Sequence, residues 1–181
     1  MTLTFADRYE NLQHAASISH EGTAVEFGVH SGRTLTVIRE RHIGPVLGFD
    51  SFKGLPETWR QGFEQGRFAT TSIPIVENTS IIVGLFQDTV PGILASITEP
   101  ITLAHFDADL YSSTTFALEH ITPHIGDQCI FIFDEYENYP GWEQHEYLAF
   151  QQWQEKHQNF TVSPISRVPS HEQFTFEIVR R

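Results

Sequence analysis

Two acidic pairs follow apolar runs in this chain: Asp107 and Asp109 within His105-Phe106-Asp107-Ala108-Asp109-Leu110-Tyr111, and Asp134 and Glu135 within Phe133-Asp134-Glu135-Tyr136. If the two runs are neighbouring strands of one sheet, the pairs face each other beyond the strand ends, where open α/β sheets bind ligands. Carboxylates gathered there repel one another unless something positive sits between them. A hard divalent cation would meet that need, and oxygen-only ligands favour Mg²⁺ or Ca²⁺. A Mg²⁺ that keeps some of its waters can exchange them for the hydroxyls of a substrate. The same acids could instead cap the helices that follow, with no metal at all.

A second constellation lies nearer the N-terminus. The run Val25-Glu26-Phe27-Gly28-Val29-His30-Ser31-Gly32-Arg33-Thr34 sets two glycines four residues apart where a strand turns into a helix, a place for close approach of backbone and ligand. The spacing is not the G-x-G-x-x-G of dinucleotide enzymes, and by itself it describes a tight turn as well as a ligand site. The next apolar run ends Gly48-Phe49-Asp50. An acid at the end of a second strand is suited to the hydroxyls of a ribose, and equally to a turn or a helix cap.

Such groups must be carried by an alternating chain. β-type runs at Ala24 to Val29, Val46 to Asp50, Ser80 to Gly84, Ile101 to Phe106 and Gln128 to Phe133 predict five parallel strands. Helices are expected at Phe5 to Ser17, Arg33 to Arg41, Val90 to Ser96, Thr114 to Thr122 and Glu143 to His157. Phe160 to Val168 and Gln173 to Val179 read as a closing hairpin joined through Pro169 to Glu172, which requires an antiparallel strand. With 181 residues, no internal repeat and no Pro/Gly/Ser linker, one domain over residues 1–181 is expected.

Composition narrows the partners. The chain carries 11 basic against 23 acidic residues, a formal charge of -12, and has no basic run, which disfavours nucleic acid and anionic membranes. Cys129 is alone and lies in an apolar run, so a buried inert thiol is expected. The first ten residues lack the apolar core of a signal peptide and no run approaches membrane-spanning length, so a cytoplasmic protein is expected.

Taken in order, Glu26-Phe27-Gly28 with Gly32 and Thr34, Phe49-Asp50-Ser51-Phe52 with Gly54-Leu55-Pro56-Glu57, Gly84 to Thr89, His105 to Thr114 and Phe133 to Tyr136 resemble the macrocin O-methyltransferase family. More distantly, the same blocks resemble catechol O-methyltransferase in order and spacing. The resemblance spans most of the chain. It implies a Rossmann-like class I methyltransferase fold, a mostly parallel seven-stranded sheet with helices on both faces and a C-terminal antiparallel hairpin. It implies S-adenosylmethionine as cofactor and the hydroxyl of a small molecule, such as a sugar, a glycoside or another secondary metabolite, as methyl acceptor. Families of this kind commonly pair, so a homodimer is among the expectations it raises.

The same resemblance assigns positions. Glu26, Gly28, His30 and Thr34 would surround the methionine half of the cofactor together with Gly32, Asp50 and Ser51 would lie at the ribose, and Phe86 and Gln87 would frame the adenine. Asp107 would belong both to the cofactor site and, with Asp134 and Glu135, to the metal. Asp109 would be the general base, since Leu110 stands where catechol methylation relies on a lysine. Two positions depart from the pattern: His30 replaces a frequent aromatic, and Glu135 replaces the aspartate or asparagine of relatives.

The segment Gly54 to Thr71 reads as a mobile flap or as a folded insertion, and Tyr139 and Trp142 as pocket wall or as packing for the last helix. Phe86 would serve a core as well as an adenine. His145 and Glu146 lack a metal-type spacing partner and read as surface, and the scattered histidines as solvated or locally satisfied. Two rival readings stand beside methyl transfer: a non-catalytic module that binds cofactor or nucleoside and regulates a partner, and a nucleotide-dependent oxidoreductase, which the glycine spacing disfavours.

Overall fold

A computed structural model describes residues 2–181. Eight strands and five α-helices follow one another as β1 (Leu3–Thr4), α1 (Arg8–Ile18), β2 (Thr23–Phe27), α2 (Arg33–Arg41), β3 (Val46–Asp50), β4 (Ser80–Val83), α3 (Phe86–Leu94), β5 (Ile101–Phe106), α4 (Tyr111–Ile121), β6 (Ile125–Phe133), α5 (Glu146–Lys156), β7 (Phe160–Arg167) and β8 (Phe174–Arg180). They form one sheet in the order β1-β7-β8-β6-β5-β2-β3-β4. β8 runs antiparallel to β6 and β7, and the other pairings are parallel. This is the Rossmann-like arrangement with a closing hairpin. The strand count is eight, not seven, because Leu3 and Thr4 add a short edge strand against Ser166 and Arg167. A two-residue strand is too short to show as a period-2 pattern.

The central strands are buried on both faces, as parallel strands between helical layers must be. On one face Val25, Phe27, Ala104, Phe106, Phe131 and Phe133 pack with residues of α3, α4 and α5. On the other, Ala24, Leu103, Ile130 and Ile132 pack against Leu12, Ala15 and Ala16 of α1 and Leu35 and Ile38 of α2. Cys129 is fully buried. The period-2 alternation therefore sends Glu26 and His105, which are paired in register across β2 and β5, to the α1–α2 face.

Helix starts moved where local chemistry overrode the apolar pattern. Asp7 caps α1 by accepting the Tyr9 and Glu10 N–H groups at 2.7 and 3.0 Å, so that helix begins after the edge strand and not at Phe5. α3 begins at Phe86, four residues before the expected Val90, and Pro91 lies inside it. A proline suggests a first turn, yet Pro91 lies in the interior of α3, where it has no N–H to give to the helix. α5 is preceded by a 3₁₀ turn over Trp142–Gln144 and is shorter than expected.

At the carboxyl ends of β3, β2, β5 and β6 a row of aromatic rings runs across the sheet. Phe27 stacks on Phe49 and on Phe106 at 5.4 and 5.7 Å, and Phe106 stacks on Phe133 at 4.7 Å, with interplanar angles of 14°, 18° and 11°. These are in-register neighbours, so strand pairing sets their contact. Phe106 touches both flanking rings as well as Phe131. Phe106→Ala is expected to lower unfolding free energy by about 3–5 kcal/mol in urea titrations, with a smaller loss for Phe106→Leu. A loss below about 1 kcal/mol would show that the row bears little of the fold's stability.

Candidate active site

Strand order reverses between β2 and β5, with β3 and β4 lying to one side and β6 to the other. Open α/β sheets bind ligands at this switch point. A cavity of about 730 Å³ opens there, lined from the turns after β2, β3, β4, β5 and β6. That volume lies within the range of small-molecule sites, roughly 300–1,000 Å³.

Its first wall is the glycine turn. Gly28 has φ +93°, and a Cβ there would lie 1.8 Å from the Asp107 carbonyl oxygen. The turns after β2 and β5 therefore touch backbone to backbone, which any side chain at 28 would prevent. Asp50 braces the same wall: its Oδ2 accepts the N–H groups of Val29 and His30 at 2.9 and 2.7 Å, and its Oδ1 that of Phe52 at 2.7 Å. The turn role of Asp50 and a place at the cavity thus coexist. Gly28, His30, Asp50, Ser51, Phe86, Gln87 and Asp107 all line the cavity. Phe86 sits edge-on to Phe27 at 5.4 Å, and His30 faces Phe68 at 6.1 Å.

Glu26, Gly32 and Thr34 lie outside this wall. Gly32 begins α2 beneath Pro74 and Val76, Thr34 is buried, and Glu26 is 0% exposed with its Oε1 2.8 Å from His105 Nδ1. The strand alternation that aims Glu26 at the α1–α2 face removes it from the ligand space.

The carboxylates divide in an unforeseen way. One ligand oxygen from each of Asp107, Asp109 and Glu135 comes within 4.8 Å of the others, a spacing that suits oxygen ligands around one hard cation. Asp134 departs from the expected metal set. Its Oδ2 receives Arg8 Nη1 at 2.6 Å and its Oδ1 receives Gln173 Nε2 at 2.6 Å, and it is 0% exposed and does not line the cavity. His105 Nε2 lies 3.7 Å from Asp134 Oδ1 on the same buried side. Further out, Gln173 accepts from Asn11, and Asn11 accepts from Ser166.

Charge balance explains this partition. Burial alone would push His105 down, but Asp134 and Glu26 outweigh it and raise its pKa to about 10, so it is a cation at neutral pH. Burial would raise Asp134, yet His105 and Arg8 hold it below the ordinary carboxylate range. Asp107 and Glu135 lack comparable partners, and burial followed by the charge of Asp134 pushes both well upward. Asp109 is raised to about 7 by burial and by Asp134, with Arg60 opposing.

Glu146 is not a surface residue. It is 0% exposed, and its Oε2 accepts the Glu135 N–H at 3.1 Å, holding the turn after β6 that carries Glu135. Gly54 to Thr71 is a folded insertion, closed on itself by Leu55 N–H to Arg67 O and Gly66 N–H to Leu55 O, both 2.9 Å. Leu55, Trp59 and Tyr139 pack with Leu110 beneath it. Trp142 packs on Tyr147 of α5 at 4.6 Å, the packing alternative raised for it. Arg8, Arg60 and Glu172 also line the cavity, and no spacing in the sequence marked them.

A family model described as a methyltransferase domain matches residues 25–136, well over half of the chain. The chain belongs to this methyltransferase-domain family. Among solved structures, the methyltransferase-domain fold aligns with the calicheamicin methyltransferase CalS11 at a TM-score of 0.70 and 24% identity, over 95% of this chain and 76% of that one. The O-methyltransferase NovP gives 0.70 and 21%, over 96% and 79%. An O-methyltransferase from Bacillus cereus, solved with SAH, gives 0.64 and 15%, over 98% and 84%. At these identities the likeness is one of fold. No curated protein sequence matches the chain significantly. No helix among the described residues is long and apolar enough to cross a membrane.

Because the Asp109 pKa is about 7 in the fold against 3.8 ordinarily, the folded chain holds a proton between about pH 4 and pH 7 that the unfolded chain has released. That contribution is complete below this window and lost as pH rises through it. Asp107 and Glu135 shift in the same sense. In chelator, Asp109→Asn should flatten the fall in stability across the window by up to about one proton, read from urea unfolding at stepped pH. An unchanged slope would contradict the assigned environment of Asp109.

Proposed function

We propose that the protein is an S-adenosylmethionine-dependent O-methyltransferase of the macrocin type, acting on a hydroxyl of a small molecule with a divalent cation, Mg²⁺ by its oxygen ligands, at the acidic trio. The observation that carries this reading is the opening of the Gly28 turn, Asp50, Phe86 and the Asp107–Asp109–Glu135 trio into one cavity. Similar structures support it: CalS11 is a TDP-rhamnose 3'-O-methyltransferase, and TomG is an O-methyltransferase solved with SAM.

The residues fit the cofactor. Asp50 can accept from ribose hydroxyls while keeping its backbone bonds, since a carboxylate has about four lone-pair sites. Phe86 and Gln87 offer an aromatic face and an amide to adenine. S-adenosylmethionine, when bound, supplies an electrophilic methyl on a sulfonium leaving group. Asp107 and Glu135 would hold the cation, and Asp134, committed to Arg8 and Gln173, would act from behind them. A divalent cation, when bound, makes a coordinated hydroxyl easier to deprotonate and fixes its position.

Asp109 then takes the acceptor's proton on its carboxylate oxygen. Burial and Asp134 raise the Asp109 carboxyl to about 7 when no cation is bound, and a bound cation would lower it, so that it is ionised and able to accept a proton at neutral pH. Glu146 steadies the Glu135 backbone, and Trp59 and Phe63 of the insertion line the same cavity as the trio. Alignment of oxygen, methyl and sulfur is what the chain contributes beyond the proton.

Isothermal titration is expected to show S-adenosylhomocysteine binding below millimolar concentration, and absence of binding would defeat the reading. Asp109→Asn should keep that binding and lose about 10²–10⁴-fold in turnover. Chelator should abolish turnover of hydroxylated acceptors and Mg²⁺ restore it, while full activity in excess chelator would remove the cation from the mechanism. Cofactor binding without turnover on any hydroxylated acceptor would favour the regulatory module instead.

A further inference from the structure

The acceptor side of the cavity holds a cation on display in a strongly acidic chain. The Arg60 guanidinium carbon lies 3.9 Å from the Trp59 ring centre, 4.3 Å from that of Tyr139 and 4.8 Å from that of Phe63. The aromatic cage orients a planar guanidinium and strips part of its water. The backbone is equally set, with Phe63 N–H on Arg60 O at 2.8 Å and Trp59 N–H on Phe63 O at 3.0 Å. Its edge, though, is poorly used. Arg60 Nε is buried without a partner, and the three contacts from its Nη atoms to Glu172 are 3.3, 3.4 and 3.4 Å. A well-made guanidinium–carboxylate fork has contacts of roughly 2.7–2.9 Å.

Arg60 and Glu172 both line the cavity that Asp109 lines, and Arg60 is close enough for its charge to lower the Asp109 carboxyl. A half-buried cation whose Nε has no partner and whose Nη contacts to Glu172 are long, beside the proposed reacting centre, is a receptor for another oxyanion. We propose that the methyl acceptor carries an oxyanion, a carboxylate or a phosphate, which Arg60 receives as it leaves Glu172. Arg60 would thereby set substrate specificity and counter the repulsion an anion meets near the acidic trio. The proposal rests on the methyl-transfer reading, because that reading makes this half of the cavity the acceptor's.

The test uses the full chain loaded with S-adenosylhomocysteine and Mg²⁺, titrated calorimetrically with 3,4-dihydroxybenzoate, phenyl phosphate and the neutral 3,4-dihydroxybenzyl alcohol. At least one anion should bind about tenfold more tightly than the neutral probe, and which one gains tells carboxylate from phosphate. Arg60→Gln should erase that preference, and Glu172→Gln should increase it by removing the competitor. If the Arg60–Glu172 contact were only a latch on the insertion, both variants would weaken all probes together. That outcome, or equal binding of charged and neutral probes by a protein that still binds S-adenosylhomocysteine, overturns the proposal and leaves methyl transfer standing. Failure of S-adenosylhomocysteine to bind would overturn both. Melting temperature and S-adenosylhomocysteine affinity of each variant show that the fold is intact, and the Glu172 variant carries the test if Arg60→Gln fails to fold.

Discussion

Burying like charge at one edge of a sheet is the constraint this molecule has to satisfy. Glu26, Asp134, Glu135 and Glu146 are each at most 8% exposed, as is Asp109, and they converge on the ends of three adjacent strands. Unpaired, such a group would cost several kcal/mol or take up a proton. The protonated His105, wedged between Glu26 and Asp134, and Arg8, reaching over from α1, supply the opposing charge. The side chains of one ion network thus tie β2, β5, the turn after β6 and the first helix together. The balance is uneven: the α1–α2 face is neutralised, and the cavity face is left short of positive charge. That shortage holds the carboxyls of Asp107, Asp109 and Glu135 above their ordinary range.

Below this charged layer the stacked phenyl rings give the strand ends a stiff apolar floor, and above it the backbone adopts conformations that ordinary residues avoid. Asp109 has φ +60° and His30 φ +45°. Left-handed residues of this kind persist when their surroundings over-determine them. Here the floor, the Gly28–Asp107 backbone contact and the Asp50 brace do so. A methyl transfer, which asks for alignment more than for new chemistry from the protein, suits a site whose walls are held this firmly.

Much of the fold was legible in the sequence because the central strands are buried on both faces and read as short apolar runs. Val46 to Asp50, Ile101 to Phe106 and Arg33 to Arg41 were expected at the bounds observed. The first helix and α3 were less legible, since their starts depend on the Asp7 cap and on an interior proline. Leu3 and Thr4 carried no signal, because their pairing with β7 is a contact across more than 160 residues. The glycine turn, Asp50, Phe86 and the acids after β5 and β6 were also readable, all lying within a few residues of strand ends whose position the pattern defined.

By itself, then, the sequence determined which residues stand at the carboxyl ends of the strands, because apolar periodicity and turn residues are local properties. Only the tertiary structure decided how those residues divide their work. Asp134 and Glu135 are adjacent in the chain, yet the turn after β6 directs one towards Arg8 and Gln173 and the other into the cavity. Glu26 is withdrawn to His105 by strand alternation, and Arg60 gains its place only from rings at 59, 63 and 139. Side-chain partners depend on strand register and on contacts remote in sequence, and neither is written in any local stretch of the chain.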